Sequence, residues 1–342
     1  MRITQRQIAE IVGVSNVTVS HVLHKPHNAR ISLEKQQEII RVAQQMGYQP
    51  RSVTTHTIGF VIESGEIHLD ATENEIVFAH EILKEHGYRM LFVMMDQERP
   101  ESLREVLNQK TVDGVLFNCW CNGKVKNLLP DEVPWVLLSE DEGVGDDVDQ
   151  VSTDTVKVAM NTTRHLIECG HRRICLVAGS AGIGYHERLK RGMAQAMKAA
   201  GLPANHASVI EVYRNDEIGA SLVKLMTGVN PPSAIMAASA GKAAVVLNRL
   251  LYAGYCVPRD VSLVSFGDSH RLTPLSPSIS ANTVFDRDVI AHSVERLILR
   301  IKSPATPPEK VLLTGQYIER ESVAVQAISE DKGLMHNLRL QS

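Results

Sequence analysis

The chain has 342 residues, room for about two domains at ~100–200 residues each. With 44% hydrophobic and 22% charged residues a packed core is expected rather than disorder, and a net charge of −3 excludes a uniformly basic coat. No run of 18 apolar residues occurs, so no membrane span is expected, and the polar residues 1–7 lack the apolar stretch of a secretory signal.

The first 50 residues read as three short helices. Thr4 is placed to cap a helix over residues 5–11, with Ile8 and Ile11 on one side. Gly13 supplies the left-handed backbone that a tight helix-to-helix turn needs. Ser15 caps a second helix over residues 16–23, whose apolar side is Val19, Val22 and Leu23, with Val14 ahead of it. Asn16, Val17, Thr18, Ser20 and His21 are left at its start and outer face. Lys25, Pro26, His27 and Asn28 break the pattern. Ser32 caps a third helix running to Met46, with Ile39, Ile40, Val42, Ala43 and Met46 inward, and Gly47 ends it.

Residues 1–51 hold seven Lys/Arg against three acids, net +4, which leaves −7 on the rest. A small basic module on a larger acidic body suits a polyanion binder joined to something else. A second helix presented by its N-terminal end can enter the major groove, where short polar side chains reach base edges. Ser and Thr hydroxyls and free amides at helix starts hold phosphates and set the register. The alternative for the same periodicity is a three-helix bundle used for protein contacts.

Residues 3–23, with the run Gly13-Val14-Ser15, two variable residues, Thr18-Val19-Ser20, then Val22-Leu23, resemble the headpiece of the lac repressor/galactose repressor (LacI/GalR) family. Gly47-Tyr48-Gln49-Pro50 matches that headpiece's ending. The resemblance implies that Asn16 and Val17 lie at the reading end of the recognition helix. His21 stands where Arg is usual, so one strong guanine-reading group is missing. Lys35-Gln36 replaces a Thr-Arg pair, at some cost in phosphate contact. The DNA-binding residues expected are Thr4, Gln5, Ser15, Asn16, Val17, Thr18, Ser20, His21, Asn28 and Arg51.

After Pro50 the family carries a hinge helix with an Ala-Arg pair and a Leu that wedges into the minor groove. Here residues 51–57 lead directly to the apolar run 58–62, without that Leu, and a short segment rich in Thr is a poor helix. Residues 51–57 are therefore expected to be a shortened linker lacking the hinge helix.

Beyond it, apolar strand-like runs at 58–62, 90–94, 114–117 and 136–138 form one series, and 174–178, 209–212, 234–237 and 262–266 another. Helical stretches at 75–86, 102–109, 156–169, 187–200 and 242–253 separate many of them. Alternating strands and helices argue for parallel sheets, with ligands at the carboxyl ends of the strands. Family-like phrases such as Val112-Asp113-Gly114-Val115, Gly170-His171-Arg172-Arg173-Ile174 and Val257-Pro258-Arg259-Asp260-Val261-Ser262 run through this body. The fold class expected is thus an N-terminal all-α helix-turn-helix headpiece, residues 1–50, plus an α/β periplasmic-binding-protein-like body, residues 58–325, of two doubly wound parallel-sheet subdomains. Residues 326–342 read as a polar tail.

The ligand cleft departs from the sugar-responsive pattern. Ser139, Ser239-Ala240 and Gly267-Asp268 stand where that pattern places acids and amides, and Leu189 stands at the cleft Arg position. The side chains that orient sugar hydroxyls are therefore expected to be thinned out; a polyol enclosed there would leave polar groups unpaired at ~1–3 kcal/mol each, so either the ligand is not bound in the usual sugar manner or there is none. Arg188 is the leading cleft candidate, with Ser64, Ser139, Ser239 and Asp268 behind it.

Other chemistries find little support. Residues 179–184 depart from G-x-G-x-x-G spacing, Ser180 is not in a G-x-S-x-G elbow, and no H-E-x-x-H occurs. Cys119 and Cys121 lack a zinc-spaced partner pair, and the five Cys read as reduced thiols of a cytoplasmic protein. No enzyme activity, cofactor or metal is expected. The function expected is a sequence-specific transcriptional regulator, a repressor, holding a pseudo-palindromic operator on double-stranded DNA as a homodimer, with a small effector between the lobes. The alternative is an intracellular ligand-binding protein with a vestigial headpiece.

Overall fold

The computed structural model describes residues 4–24, 31–46, 54–63, 69–96, 98–108, 111–118, 128, 132–140, 143–179, 184–212, 214–284 and 287–326. They divide into two units, Met1–Thr54 and Thr55–Ser342.

The first unit holds α1 (Gln5–Val12), α2 (Asn16–His24) and α3 (Leu33–Gln45). Thr4 and Gln7 form a reciprocal capping box at the start of α1, which satisfies two amides that the helix leaves without partners. Gly13 ends α1 at φ 70°, a conformation with no Cβ penalty for glycine alone. The core is Ile8, Ala9, Val12, Val19, Val22, Ile39 and Ala43. Ile11, expected beside Ile8, is instead 60% exposed, and Val12 takes its place. At 100° per residue, position i+4 returns closer to Ile8 than i+3 does.

The second unit contains two six-stranded sheets. The first holds β1 (Thr57–Glu63), β2 (Arg89–Met95), β3 (Gly114–Asn118), β4 (Trp135–Leu137), β5 (Gln150–Thr153) and β11 (Lys310–Leu313), in the order β11-β5-β4-β3-β1-β2. The second holds β6 (Ile174–Ala178), β7 (Ala207–Glu211), β8 (Ala234–Ala237), β9 (Ser262–Phe266), β10 (Ser280–Asn282) and β12 (Tyr317–Ile318), in the order β12-β10-β9-β8-β6-β7. All pairs are parallel except β10 with β12. Parallel strands need crossovers, supplied by α4 (Leu69–Glu85), α5 (Leu103–Val106), α7 (Gly184–Ala199), α8 (Ile218–Met226) and α9 (Ala240–Tyr252), while α6 (Thr155–Glu168) and α10 (Arg287–Lys302) join one sheet to the other.

The chain passes between the lobes three times, since β5 leads to α6, β10 to α10 and β11 to β12. The eight expected strands are present within a residue or two. Polar β5 and β10, the edge strands β11 and β12, and helices α8 and α10 were not foreseen. The helix expected over 102–109 is only the single turn α5. Each sheet is covered on both faces, giving four cores, which explains its near-continuous apolar strands. Gly192 lets α6 and α7 approach backbone to backbone, because a Cβ there would lie 2.4 Å from the Val156 carbonyl oxygen. Asp149, buried at the entry to β5, accepts from Arg296 at 2.6 Å and Arg300 at 2.8 Å, so α10 is fixed to the first sheet by charge as well as packing.

Cys169, Cys175 and Cys256 are free thiols, and Cys119 and Cys121 lie outside the described residues. Among the described residues, no helix is long and apolar enough to cross a membrane.

Candidate nucleic-acid interface and interlobe pocket

In the first unit the start of α2 is built for presentation. The Ser15 hydroxyl accepts the Thr18 amide at 3.0 Å and lies 2.8 Å from the Thr18 hydroxyl. This cap leaves the amides of Asn16 and Val17 outside the intrahelical ladder. Asn16, Val17, Ser20 and His21 share the helix face opposite the buried Val19 and Val22. Asn16, Val17 and His21 are exposed, while Thr18 and Ser20 are half-buried. Val17 is an apolar side chain 62% exposed, which the core does not use. Thr4 is exposed at the start of α1 and Gln5 half-buried behind it.

At the third helix, Gln36 is turned inward, its Nε2 donating to the Ile31 carbonyl at 2.7 Å, and Lys35 pairs with Glu38 at 2.8 Å. Asn28 and Arg51 lie outside the described residues. So do residues 51–53 of the linker, and residues 54–56 beyond them are not helical. The Asp113 carboxylate receives the Thr55 amide at 2.6 Å, the Thr55 hydroxyl at 2.9 Å and the His56 amide at 2.9 Å, fixing the start of the second unit against its own first sheet.

In the second unit, the ends of β3, β4, β8 and β9 meet α4 and α7 between the lobes. Arg188 on α7 is buried with Nε 2.5 Å from Glu140, the residue after Ser139. Ser139 is fully buried, and its carbonyl accepts from the Gln150 side chain. Ser239 caps α9 by accepting the Lys242 amide at 3.2 Å. Its neighbour Ala238 accepts from the Tyr185 hydroxyl at 3.2 Å. Asp268 is held in a fork by Arg320 at 2.8 and 2.9 Å, and its carbonyl accepts from Asn74 of α4 at 3.1 Å, a bond between lobes. Ser64 lies outside the described residues.

The expectation of a cleft thin in polar groups is corrected here. Glu75 on α4 is buried and accepts from the Asn118 amide, and burial pushes its carboxyl up to about 8, against the smaller opposing effect of that bond. Burial also raises Glu140, opposed by Arg188, and raises Tyr185, which senses Arg188, Glu140 and Glu75. Leu189 lies fully buried in the core of the second lobe. Its neighbour Arg188 carries the charge here, against Glu140. Sequence held one signal for Glu75. It shares the inward stripe of α4 with Ala79, Ile82 and Leu83, so it is an acid at a core position.

A pocket of about 550 Å³ opens beside this cluster, lined by both lobes, with Arg188 and Glu140 in its wall. Among the described residues, no group of three His, Cys, Asp or Glu is placed to hold a metal.

Residues 4–51 match the family of bacterial regulatory proteins known as the lacI family, and residues 163–323 match the periplasmic binding protein-like domain. The transcriptional repressor PurR of Haemophilus influenzae strain Rd is 28% identical over 341 residues, 94% of this chain and 98% of that protein. The solved structure of the transcriptional regulator CelR with cellobiose covers 94% of this chain and all of its own, at 25% identity and a TM-score of 0.69. The lac repressor dimer bound to operator and an anti-inducer shares the fold at 18% identity and a TM-score of 0.67, over 95% of this chain and all of its own. With a matching headpiece and a matching body in one chain, this protein belongs to the LacI family of bacterial transcriptional regulators.

Proposed function

We propose that the protein is a sequence-specific transcriptional repressor that holds a pseudo-palindromic operator as a homodimer and responds to a small effector between its lobes. The observation that carries this reading is the outward face of α2, where Asn16, Val17, Ser20 and His21 stand clear of the core behind a capped helix start. Asn16 suits an adenine edge and Val17 a thymine methyl. Ser15, Thr18, Thr4 and Gln5 set the register on phosphate. Asn28 and Arg51 complete the proposed contact set.

Two headpieces on a two-fold pair read half-sites about one helical turn apart. The pairing surface fits a second copy of the body. β2 is an edge strand of the first sheet, with Phe92 39% and Met94 49% exposed, and an apolar open edge is stabilised by a partner. Met94→Asp is expected to give monomers in sedimentation and to weaken operator binding with it.

Ser64, Ser139, Arg188, Ser239 and Asp268 are the proposed effector contacts. With residues 51–57 as a shortened linker, effector binding is expected to change operator affinity by less than about tenfold. The role is regulation of transcription at the nucleoid, in the cytoplasm, without a catalytic step. PurR is named as a repressor, which supports the sign of regulation.

Val17→Arg and His21→Ala, compared on the genomic site and on random duplex, test base reading. Each is expected to cost ~1–3 kcal/mol on the site alone. Equal loss on both duplexes, or no loss, rejects it.

A further inference from the structure

The three passages of the chain between the lobes form a hinge, and at the first of them side chains tie the lobes as well. Glu140 leaves the first lobe just past β4. The backbone ahead of it is fixed twice. The Leu138 amide donates to the Phe117 carbonyl at 2.9 Å, and the Gln150 side chain donates to the Ser139 carbonyl. From the second lobe two residues meet the Glu140 carboxylate. Thr155, the first residue of α6 beyond the crossing, bonds it through backbone and side chain. Arg188 of α7 reaches it with Nε at 2.5 Å.

Arg188 is placed as firmly from its own side. Gly184, Arg188 and Gly192 recur at i, i+4 and i+8, so they share one face of α7. A Cβ at Gly184 would lie 3.1 Å from Arg188 Nη1, so that glycine leaves room for the guanidinium, while Gly192 seats the helix on α6. The pair is nearly enclosed, with 7% of the Arg188 side chain and 12% of the Glu140 side chain exposed, so water screens it little. Bonds from Thr155 offset part of what burial costs the carboxylate, which leaves the attraction to hold the lobes. A second bond between the lobes, from Asn74 to the Asp268 carbonyl, joins neutral groups and is the weaker tie.

We propose that the Glu140–Arg188 pair is an interlobe latch, which sets the angle between the two lobes from within the chain, so that an effector has to part the pair before it can move them. The pocket of about 550 Å³ has both residues in its wall and gives a small molecule access to them. A ligand shifts an equilibrium only by its difference in affinity for the two arrangements, and the latch takes up part of that difference. The device lies in the body alone, so it stands or falls independently of the operator reading.

The test is a pulsed electron resonance measurement of the distance between the lobes in the full-length protein without added ligand. Lys84 and Lys198, exposed near the ends of α4 and α7 and so one on each lobe, are replaced by a ketone-bearing amino acid for spin labelling, which spares the native thiols. Labelled chains are diluted with unlabelled ones to suppress distances between copies. The otherwise unchanged protein is expected to show one narrow distance, with any second one under about 10% of the population. Glu140→Gln and Arg188→Met should each make a second distance the major one. The double variant strands neither charge, so it should melt close to the parent while its distances stay shifted. A double variant as narrow as the parent shows that stranded charge, and not the missing tie, opened the single variants, and it overturns the proposal. Unchanged distances in both single variants, or a broad distribution in the parent, overturn it as well.

Discussion

The two units of this protein carry their proposed functional surfaces in opposite ways. In the headpiece the proposed reading surface is one local stretch, residues 15–21, held out by a single small core that centres on Ile8, Val19 and Ile39. In the body the interlobe cluster is assembled from distant places, as in the bond between Asn74 and Asp268, and four cores of twelve to twenty residues hold it. A small module buries a smaller share of its surface than a large one, so each of its core side chains carries a larger part of its stability. The headpiece should therefore fail by unfolding, and the body by losing geometry while it stays folded.

The largest expected effect tests that contrast directly. Ile8→Ala removes a fully buried side chain from the headpiece core, a loss of ~2–5 kcal/mol. That is comparable to all the stability a module of this size is expected to have. Operator binding should vanish while the main calorimetric transition of the body stays in place. Leu176→Ala, from a fully buried site in the second sheet, costs a similar energy but should only lower the body's transition. If Ile8→Ala shifts the body's transition too, the two units are not energetically separate and the comparison breaks.

A smaller effect belongs to the body alone and depends on pH. Burial holds the Glu75 carboxyl at about 8 in the folded state, above its ordinary 4.5. Between those values the unfolded chain has released a proton that the folded one retains, so stability falls as pH rises and levels off past about 8. His171 acts with the opposite sign. Burial lowers it to about 4, so the folded state resists protonation and stability is lost as pH falls from 6.5 toward that value. Between 4.5 and 6.5 the two slopes oppose each other, so Glu75→Gln should remove the decline above about 6.5 and unmask the acid-side loss below it. Chemical denaturation from pH 4 to 9 reads both slopes, and an unchanged alkaline slope in Glu75→Gln shows that its carboxyl is solvated.

These contrasts also explain what was legible in the sequence. Headpiece helices are set by neighbours in the chain: the Thr4–Gln7 box, Gly13, the Ser15 and Ser32 caps. The expected ends of α1 and α2 therefore fell within a residue. Only the inward assignment of Ile11 failed, by one step of helical phase. The body's apolar strands were equally plain. β5, Gln-Val-Ser-Thr, and β10, Ser-Ala-Asn, were not, because strands flanking them make them strands. Helix α10 did carry a period, in Val289, Ile290, Val294 and Leu297. The cluster around Arg188 was half legible. A charged residue beside Leu189 was visible, but its partner Glu140 sits in a run of acids that reads as solvated surface. Only the packing of α7 against the end of β4 singles it out.

The smallest expected effects set the same chemical change in both units. Ser15 caps α2 and Ser239 caps α9, each accepting the amide three residues on, at 3.0 and 3.2 Å. Replacing either with Ala removes one such bond, about 1 kcal/mol. In the headpiece that loss falls on the helix that carries the proposed reading face, and the Ser15 hydroxyl is itself a proposed phosphate contact. Ser15→Ala should weaken operator binding by roughly fivefold to tenfold, on specific and random duplex alike. In the body, α9 is anchored by Ala243, Val246, Leu247 and Leu250 in a large core. Ser239→Ala should leave operator binding of the unliganded protein untouched and show itself as faster amide exchange in the first turn of α9, beside any weakening of effector binding. Equal effects of the two substitutions on DNA would mean that cap strength in the body reaches the headpiece, a coupling stronger than the short linker is expected to transmit.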